Sequence, residues 1–204
     1  MDPPVTTQPE PKEAMPIEMG LWRIDGSKPL RLEPTMMPTE AQLEGFLADD
    51  PSLLGERLLI IGRQVLTGHG KLIDLLAIER SGGLHVLELK RDKTPRDVVA
   101  QALDYGSWAA QLDHEQVLTI ASKHFIESSF EAAFEETFGG SPPDELNLTQ
   151  SLTIVAAELD EGSERIVSYL NQQFGVPINV VFFSQLLQRR RPSVPRTKLA
   201  PRRR

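Results

Sequence analysis

Two acids and a lysine, Asp74, Glu88 and Lys90, carry the most distinctive chemistry in this chain of 204 residues. Asp74 lies near the start of one apolar segment, and Glu88 and Lys90 stand two residues apart at the end of the next. Hydrolysis of a phosphodiester requires a neutralised phosphate and an activated water, and a hard cation held by carboxylates supplies both. The pattern therefore predicts a Mg²⁺ site, in which Mn²⁺ would substitute, with Lys90 orienting or deprotonating the attacking water or holding the phosphate.

The two apolar segments, 73–78 and 84–89, are predicted to form antiparallel strands joined through Ser81-Gly82-Gly83. Counting outward from this turn places Asp74 about opposite Glu88, where side chains lie roughly 5 Å apart at Cβ. Glu88 and Lys90 share a face because a strand repeats every two residues. A surface ladder of ion pairs is the alternative, but the neighbours are Ile, Leu, Val and Ala, and buried carboxylates rarely lack a partner or a metal.

Further site residues are expected on the helices that flank these strands. Glu44, on the preceding helix, is a candidate third acid, with Glu56 as a less favoured rival, and spacing alone equally allows Glu44 to be a solvated residue. Gln101 and Tyr105 are four residues apart and share a face of the following helix. Gln101 would reach the metal-bound water or a phosphate and Tyr105 would hold nucleic acid; a polar face beside a core aromatic is the alternative.

Four cations surround the same hairpin and the start of the following helix. Together with the helix N-terminus they would form a cradle for phosphate, which gives affinity without sequence information. Taken singly, each of them also fits the interpretation of ordinary solvated charge. The four residues are Lys71, Arg91, Lys93 and Arg96.

Apolar periodicity predicts a helix, three strands, a helix, a further helix over 114–137, a strand, a helix and a last strand. A meander followed by βαβ connections implies an α/β fold, a mixed central sheet flanked by helices. We divide the chain into a disordered segment, 1–18, a small hairpin with Gly26 at its turn, 19–38, the main domain, 39–188, and a disordered tail, 189–204.

Charge is unevenly distributed along the chain. The net charge is −7, but residues 189–204 hold seven Arg and one Lys without an acid, so the tail is +8 and the remainder −15. The chain lacks Cys, which excludes disulfides and thiolate metal sites. Neither a secretory signal nor an apolar run of roughly 20 residues is present, which indicates a cytoplasmic protein that does not enter a membrane.

These residues resemble the PD-(D/E)XK nuclease superfamily, with its restriction-endonuclease-like core, and in particular the catalytic domain of NucS-like endonucleases. The resemblance covers about residues 40–184. It implies that Asp74, Glu88 and Glu44 bind the metal together with the backbone carbonyl of Leu89, and that Gln101 assists catalysis. The matching stretches are 43–44, 53–56, 61–65, 70–77, 88–91 and 101–105.

We therefore expect a Mg²⁺-dependent deoxyribonuclease, with a role in DNA repair or defence. The expected partner is DNA, in single-stranded or structured form rather than one duplex sequence, and a homodimer is left open. The Arg-rich tail would add salt-sensitive affinity. The alternative function is a non-cleaving module that binds nucleic acid or a protein partner with the same fold.

Overall fold

The computed structural model describes residues 21–25, 28–35, 39–94 and 97–188. The two segments predicted to be disordered, Gly26 and Arg96 lie outside the described residues. The chain divides into two compact units, one formed by Met1–Pro34 with Leu186–Arg204 and the other by Thr35–Gln185. The first unit contains a three-stranded sheet in the order β1-β2-β8, formed by β1 (Leu21–Asp25), β2 (Lys28–Thr35) and β8 (Gln185–Gln188).

The second unit is built on a five-stranded sheet in the order β3-β4-β5-β6-β7. The pairs β3–β4 and β4–β5 are antiparallel, and the pairs β5–β6 and β6–β7 are parallel. This confirms the predicted mixed central sheet of an α/β fold. The strands are β3 (Leu59–Leu66), β4 (Leu72–Ile78), β5 (Leu84–Thr94), β6 (Gln150–Leu159) and β7 (Ile178–Phe182).

Helices flank this sheet: α1 (Glu40–Asp49), α2 (Asp97–Ala109), α3 (His114–His124), α4 (Phe130–Phe138) and α5 (Glu161–Phe174). A short 3-10 turn, Pro51–Leu54, follows α1. The prediction of a single helix over 114–137 is wrong, because the helix is interrupted between α3 and α4. Ser129 accepts a hydrogen bond from the Ala132 amide and starts a new helix there.

Each face of the sheet has its own core. Leu75, Leu87 and Leu89 pack on one face against Leu43 and Leu47 of α1. The other face packs against α2, α3 and α4, and it includes the predicted α2 stripe Val98, Ala102, Tyr105 and Ala109. Both faces of β4 and β5 are thus covered, so any charged residue on these strands is removed from water unless it lies near a strand end.

A bulge in β3 determines how the next residues along that strand are presented. The β3–β4 register shifts between Ile60 and Gly62. A Cβ atom added to Gly62 would lie 2.5 Å from Val65 Cγ2 and 3.2 Å from Ile120 Cγ2, so the strand reaches α3 only because residue 62 lacks a side chain. Arg63 and Gln64 are the next two residues of the strand after this close approach.

We expect Gly62→Ala to lower the free energy of unfolding by about 1–3 kcal/mol, because the added methyl group overfills this contact. Gly45→Ala is the matched control: a Cβ there has no atom within 4 Å, and Gly45 lies within α1. That control should gain up to about 1 kcal/mol from helix propensity. Urea unfolding of both variants measures the difference, and equal effects would contradict this account of the bulge.

Candidate active site

Asp74 and Glu88 lie on adjacent strands, each one residue beyond the point where the β4–β5 pairing ends with Leu75 opposite Leu87. They are close enough for the charge of Asp74 to act on Glu88. Asp74 Oδ2 accepts a hydrogen bond of 2.8 Å from the Leu89 amide. The Asp74 side chain thereby bonds the β5 backbone at the position where the ladder between the strands stops.

Glu88 is the most deeply buried acid of this group, with 1% of its surface exposed. Its Oε1 lies 2.7 Å from Lys90 Nζ in an ion pair, and apart from Lys90 neither oxygen has a hydrogen-bond partner among the described residues. Burial, and then the nearby charge of Asp74, raises the pKa of Glu88 to about 7, although Lys90 opposes the shift. A second cation at this carboxylate would relieve the burial cost.

Lys90 is half-buried and sits among acids. Burial favours the neutral amine, but the combined attraction of Glu88, Asp74 and Glu40 outweighs it and raises the pKa of Lys90. The side chain is therefore a cation at neutral pH. As a cation, Lys90 is suited to holding a water or a phosphate oxygen rather than to taking a proton from water.

Gln64, which the sequence analysis did not identify, links two of the acids. Its Nε2 donates to Glu44 Oε2 at 2.7 Å and to Asp74 Oδ1 at 3.2 Å. Its backbone has φ +48°, a left-handed conformation that costs a residue with a Cβ on the order of 1–2 kcal/mol. Burial raises the pKa of Asp74, against the hydrogen bonds from Leu89 and Gln64, which lower it.

Glu44 lies beside this pair, as expected for the acid on the first helix. It is 9% exposed, and its Oε1 accepts a hydrogen bond of 3.0 Å from Arg63 Nε. A metal ligand role for Glu44 would compete with Arg63 and Gln64 for the same carboxylate. Glu40, four residues earlier on α1, was not predicted, yet its charge acts on Glu88 and Lys90 and its Oε1 accepts from the Arg91 amide at 3.4 Å.

The donor set fits a Mg²⁺ ion better than a metal that requires a full protein cage. Within the described residues, no three His, Asp or Glu side chains are arranged to hold a metal ion. Mg²⁺ is usually bound by one or two carboxylates together with waters and substrate oxygens. The buried Glu88 carboxylate, whose one partner among the described residues is Lys90, and the nearby Asp74 carboxylate supply that minimal pair.

The predicted helix residues line a surface cleft of about 540 Å³, which Gln101, Tyr105 and Lys71 share with Leu72, Asp97 and Ala100. Gln101 Nε2 donates to the Tyr105 hydroxyl at 2.9 Å, and Lys71 Nζ lies 3.4 Å from Asp104 Oδ2. Tyr105 is 2% exposed, which leaves its ring no face for stacking on a base, so only its hydroxyl end is placed to meet a ligand.

The remaining predicted residues are placed less completely. Arg91 is partly exposed at the end of β5, and Lys93 belongs to the same strand. Leu89 is 1% exposed and stands opposite Val155 in the parallel ladder. The metal role of its carbonyl stays a prediction, as do the phosphate contacts of the cations.

Glu56, the rival third acid, lies in a different cluster. Its Oε1 is 3.8 Å from Nδ1 of buried His85, and Glu79 Oε1 is 3.4 Å from the same atom. His85 Nε2 is hydrogen-bonded to Thr153 Oγ1 at 2.8 Å. His85 lies at the start of β5 and Glu88 near its middle. Glu56 therefore lies beside this histidine and not among the acids around Glu88.

Three solved structures are similar to this chain at low sequence identity. One is the crystal structure of a repair endonuclease from Pyrococcus abyssi, with 20% identity, a TM-score of 0.43, and coverage of 72% of this chain and 49% of that chain. Another is a structure of an EndoMS–dsDNA complex, with 14% identity, a TM-score of 0.44, and coverage of 87% and 70%. The third is EndoMS in apo form, with 14% identity, a TM-score of 0.40, and coverage of 85% and 71%.

The chain thus spans about half the length of the Pyrococcus abyssi protein. No family profile and no curated protein matches the sequence. Among the described residues, no helix is long and apolar enough to cross a membrane.

The raised pKa of Glu88 predicts a pH dependence of stability. Because the folded-state value, about 7, exceeds the ordinary 4.5, protonated Glu88 stabilises the fold below pH 4.5 and that stability is lost as the pH rises through 7. Relative to Glu88→Gln, the wild type should lose up to about 3 kcal/mol across this range. Urea unfolding from pH 4.5 to 8 in EDTA measures it, and parallel pH curves for the two proteins would contradict the assigned environment.

Proposed function

We propose that this protein is a Mg²⁺-dependent deoxyribonuclease that hydrolyses phosphodiester bonds. The observation that carries the proposal is the pair of neighbouring, electrostatically interacting carboxylates, Asp74 and buried Glu88, whose only close cation among the described side chains is Lys90. Two carboxylates with one ammonium group leave net negative charge in a place shielded from water. Such a site is suited to a divalent cation and, through it, to an anionic substrate.

A bound Mg²⁺ ion would neutralise charge on the scissile phosphate and lower the pKa of a bound water. Asp74 and Glu88 would hold the ion. Gln64 and the Leu89 amide fix the Asp74 carboxylate by hydrogen bonds to its two oxygens. Lys90, as a cation, would hold the attacking water or a non-bridging phosphate oxygen in line with the reacting bond.

Residues around the acids would bind the nucleic acid. Gln101 and the Tyr105 hydroxyl face the cleft beside α2, where Gln101 would assist through a hydrogen bond to water or phosphate. Lys71, Arg91, Lys93 and Arg96 would contact the DNA backbone. We infer a substrate with single-stranded or structured character and a cytoplasmic role in DNA repair or defence.

Cleavage of labelled single-stranded, duplex and splayed DNA in Mg²⁺, Mn²⁺ or EDTA tests the proposal. Asp74→Asn and Lys90→Ala should each lower the cleavage rate by at least about 10²-fold, because each removes transition-state stabilisation worth several kcal/mol. Glu135→Gln removes an exposed carboxylate from α4 and should cleave at the wild-type rate. Electron paramagnetic resonance measures Mn²⁺ binding. Of Asp74→Asn and Glu135→Gln, only Asp74→Asn should bind Mn²⁺ more weakly than the wild type.

Each result bears on the choice between cleavage and binding alone. Metal-dependent cutting that is lost in both site variants supports the nuclease. Binding of DNA by the wild type without cutting in either metal would overturn it and leave the non-cleaving module. Cutting retained by Asp74→Asn would show that the reaction occurs elsewhere in the preparation or in the molecule.

A further inference from the structure

A second polar cavity, of about 310 Å³, lies between β3 and α3. Its lining combines three basic side chains, Arg63, Lys123 and His124, with the amide of Gln64 and an apolar floor. The volume is at the lower end of that of small-ligand sites. The apolar part of the lining consists of Gly62, Val65, Leu66 and Ile120.

The cations of this cavity are not neutralised by acids within it. Lys123 is exposed and has no acidic partner among the described residues. Arg63 uses Nε to bond Glu44, and its side chain remains 43% exposed. Burial lowers the pKa of His124, and the positive charge of Arg63 lowers it further, which locates positive potential inside the cavity.

Two residues connect this cavity to the acid site. Arg63 and Gln64 line the cavity, and the same two side chains bond the carboxylates of Glu44 and Asp74. A ligand in the cavity would therefore lie next to the reacting group. A nucleic-acid strand carries one negative charge per about 3.4 Å of its length, so a strand at the acids would bring a neighbouring phosphate within reach.

We propose that this cavity binds a phosphodiester group of the same nucleic-acid strand that is cut at Asp74 and Glu88. Lys123 and His124 contact the phosphate, Arg63 offers its remaining guanidinium N–H groups, and the sugar packs on Val65 and Leu66. This inference rests on the proposed function for the identity of the ligand. It also implies that the strand runs from the acids toward α3. The predicted cradle around Lys71 does not lie on this path.

Lys123 and His124 also lie in the last turn of α3, where the positive charge of Lys123 stabilises the helix. A helix-stabilising role alone would lower the unfolding temperature of a variant without changing its affinity for nucleic acid. Binding and stability measured on the same variants therefore separate the two roles.

The test is the affinity of the full chain, in EDTA to prevent cutting, for a fluorescein-labelled thymidine single strand of about 12 nucleotides. Lys123→Ala and His124→Ala should each weaken binding, Lys123→Ala about tenfold, and Lys123→Ala should reduce the salt dependence by the equivalent of one phosphate contact. Lys123→Arg should retain wild-type affinity. Arg165→Ala is the matched control, because it removes one exposed cation from α5, which packs against β7 at the other edge of the sheet.

A weaker Lys123→Ala complex with an unchanged Arg165→Ala complex, in variants that melt within a few degrees of the wild type, supports the cavity. Equal affinities for Lys123→Ala, Arg165→Ala and the wild type would overturn it. Ring resonances of His124 should shift when the strand binds, whereas those of buried His85 should not, and the absence of any His124 shift would also overturn it. If DNA is cleaved with metal but Lys123→Ala binds the strand as tightly as the wild type, this inference alone is refuted. If Lys123→Ala binds more weakly but no DNA is cleaved, only the nuclease function is refuted.

Discussion

The cost of burying the Glu88 carboxylate near Asp74 is the constraint on which the rest of the site depends. Two like charges that lie close together repel, and burial removes the water that would screen them. The chain compensates in part, through the Lys90 ammonium, the Leu89 amide and the Gln64 side chain. The compensation is incomplete, because the pKa of Glu88 still rises to about 7.

The same constraint accounts for the backbone of β3. Gln64 can reach both Asp74 and Glu44 only because the strand bulges at Gly62 and then adopts a left-handed turn at residue 64. The left-handed backbone conformation of Gln64 lowers the stability of the fold, and Gly at this position would restore that stability. Strain of this kind collects at functional sites when the surrounding structure requires the residue. The position of Gln64, between two carboxylates, supplies such a requirement.

The central part of the site was predictable because it depends on local rules. A two-residue repeat and a tight turn predict Asp74, Glu88 and Lys90 close together, and in the structure the β4–β5 pairing runs up to Leu75 and Leu87, the residues next to Asp74 and Glu88. Gln64, Arg63 and Glu40 were not predicted, since their approach depends on a bulge and on long-range packing that the sequence pattern does not encode. The break between α3 and α4 was missed because the apolar residues Phe125 and Phe130 lie on either side of it and the Ser129 cap was not recognised.

A chain with net charge −7 that binds a polyanion must separate its charges in space, and the second unit does so on a small scale. The acids collect around Asp74 and Glu88, where a divalent cation would reverse the local sign, and the cations of the adjacent cavity already have the sign that attracts phosphate. Arg63 belongs to both regions, since its Nε donates to Glu44 and the residue also lines the cavity. The acid site alone would repel nucleic acid; the neighbouring basic cavity would offset that repulsion, and a loaded metal would reduce it, so that one strand would bind across both.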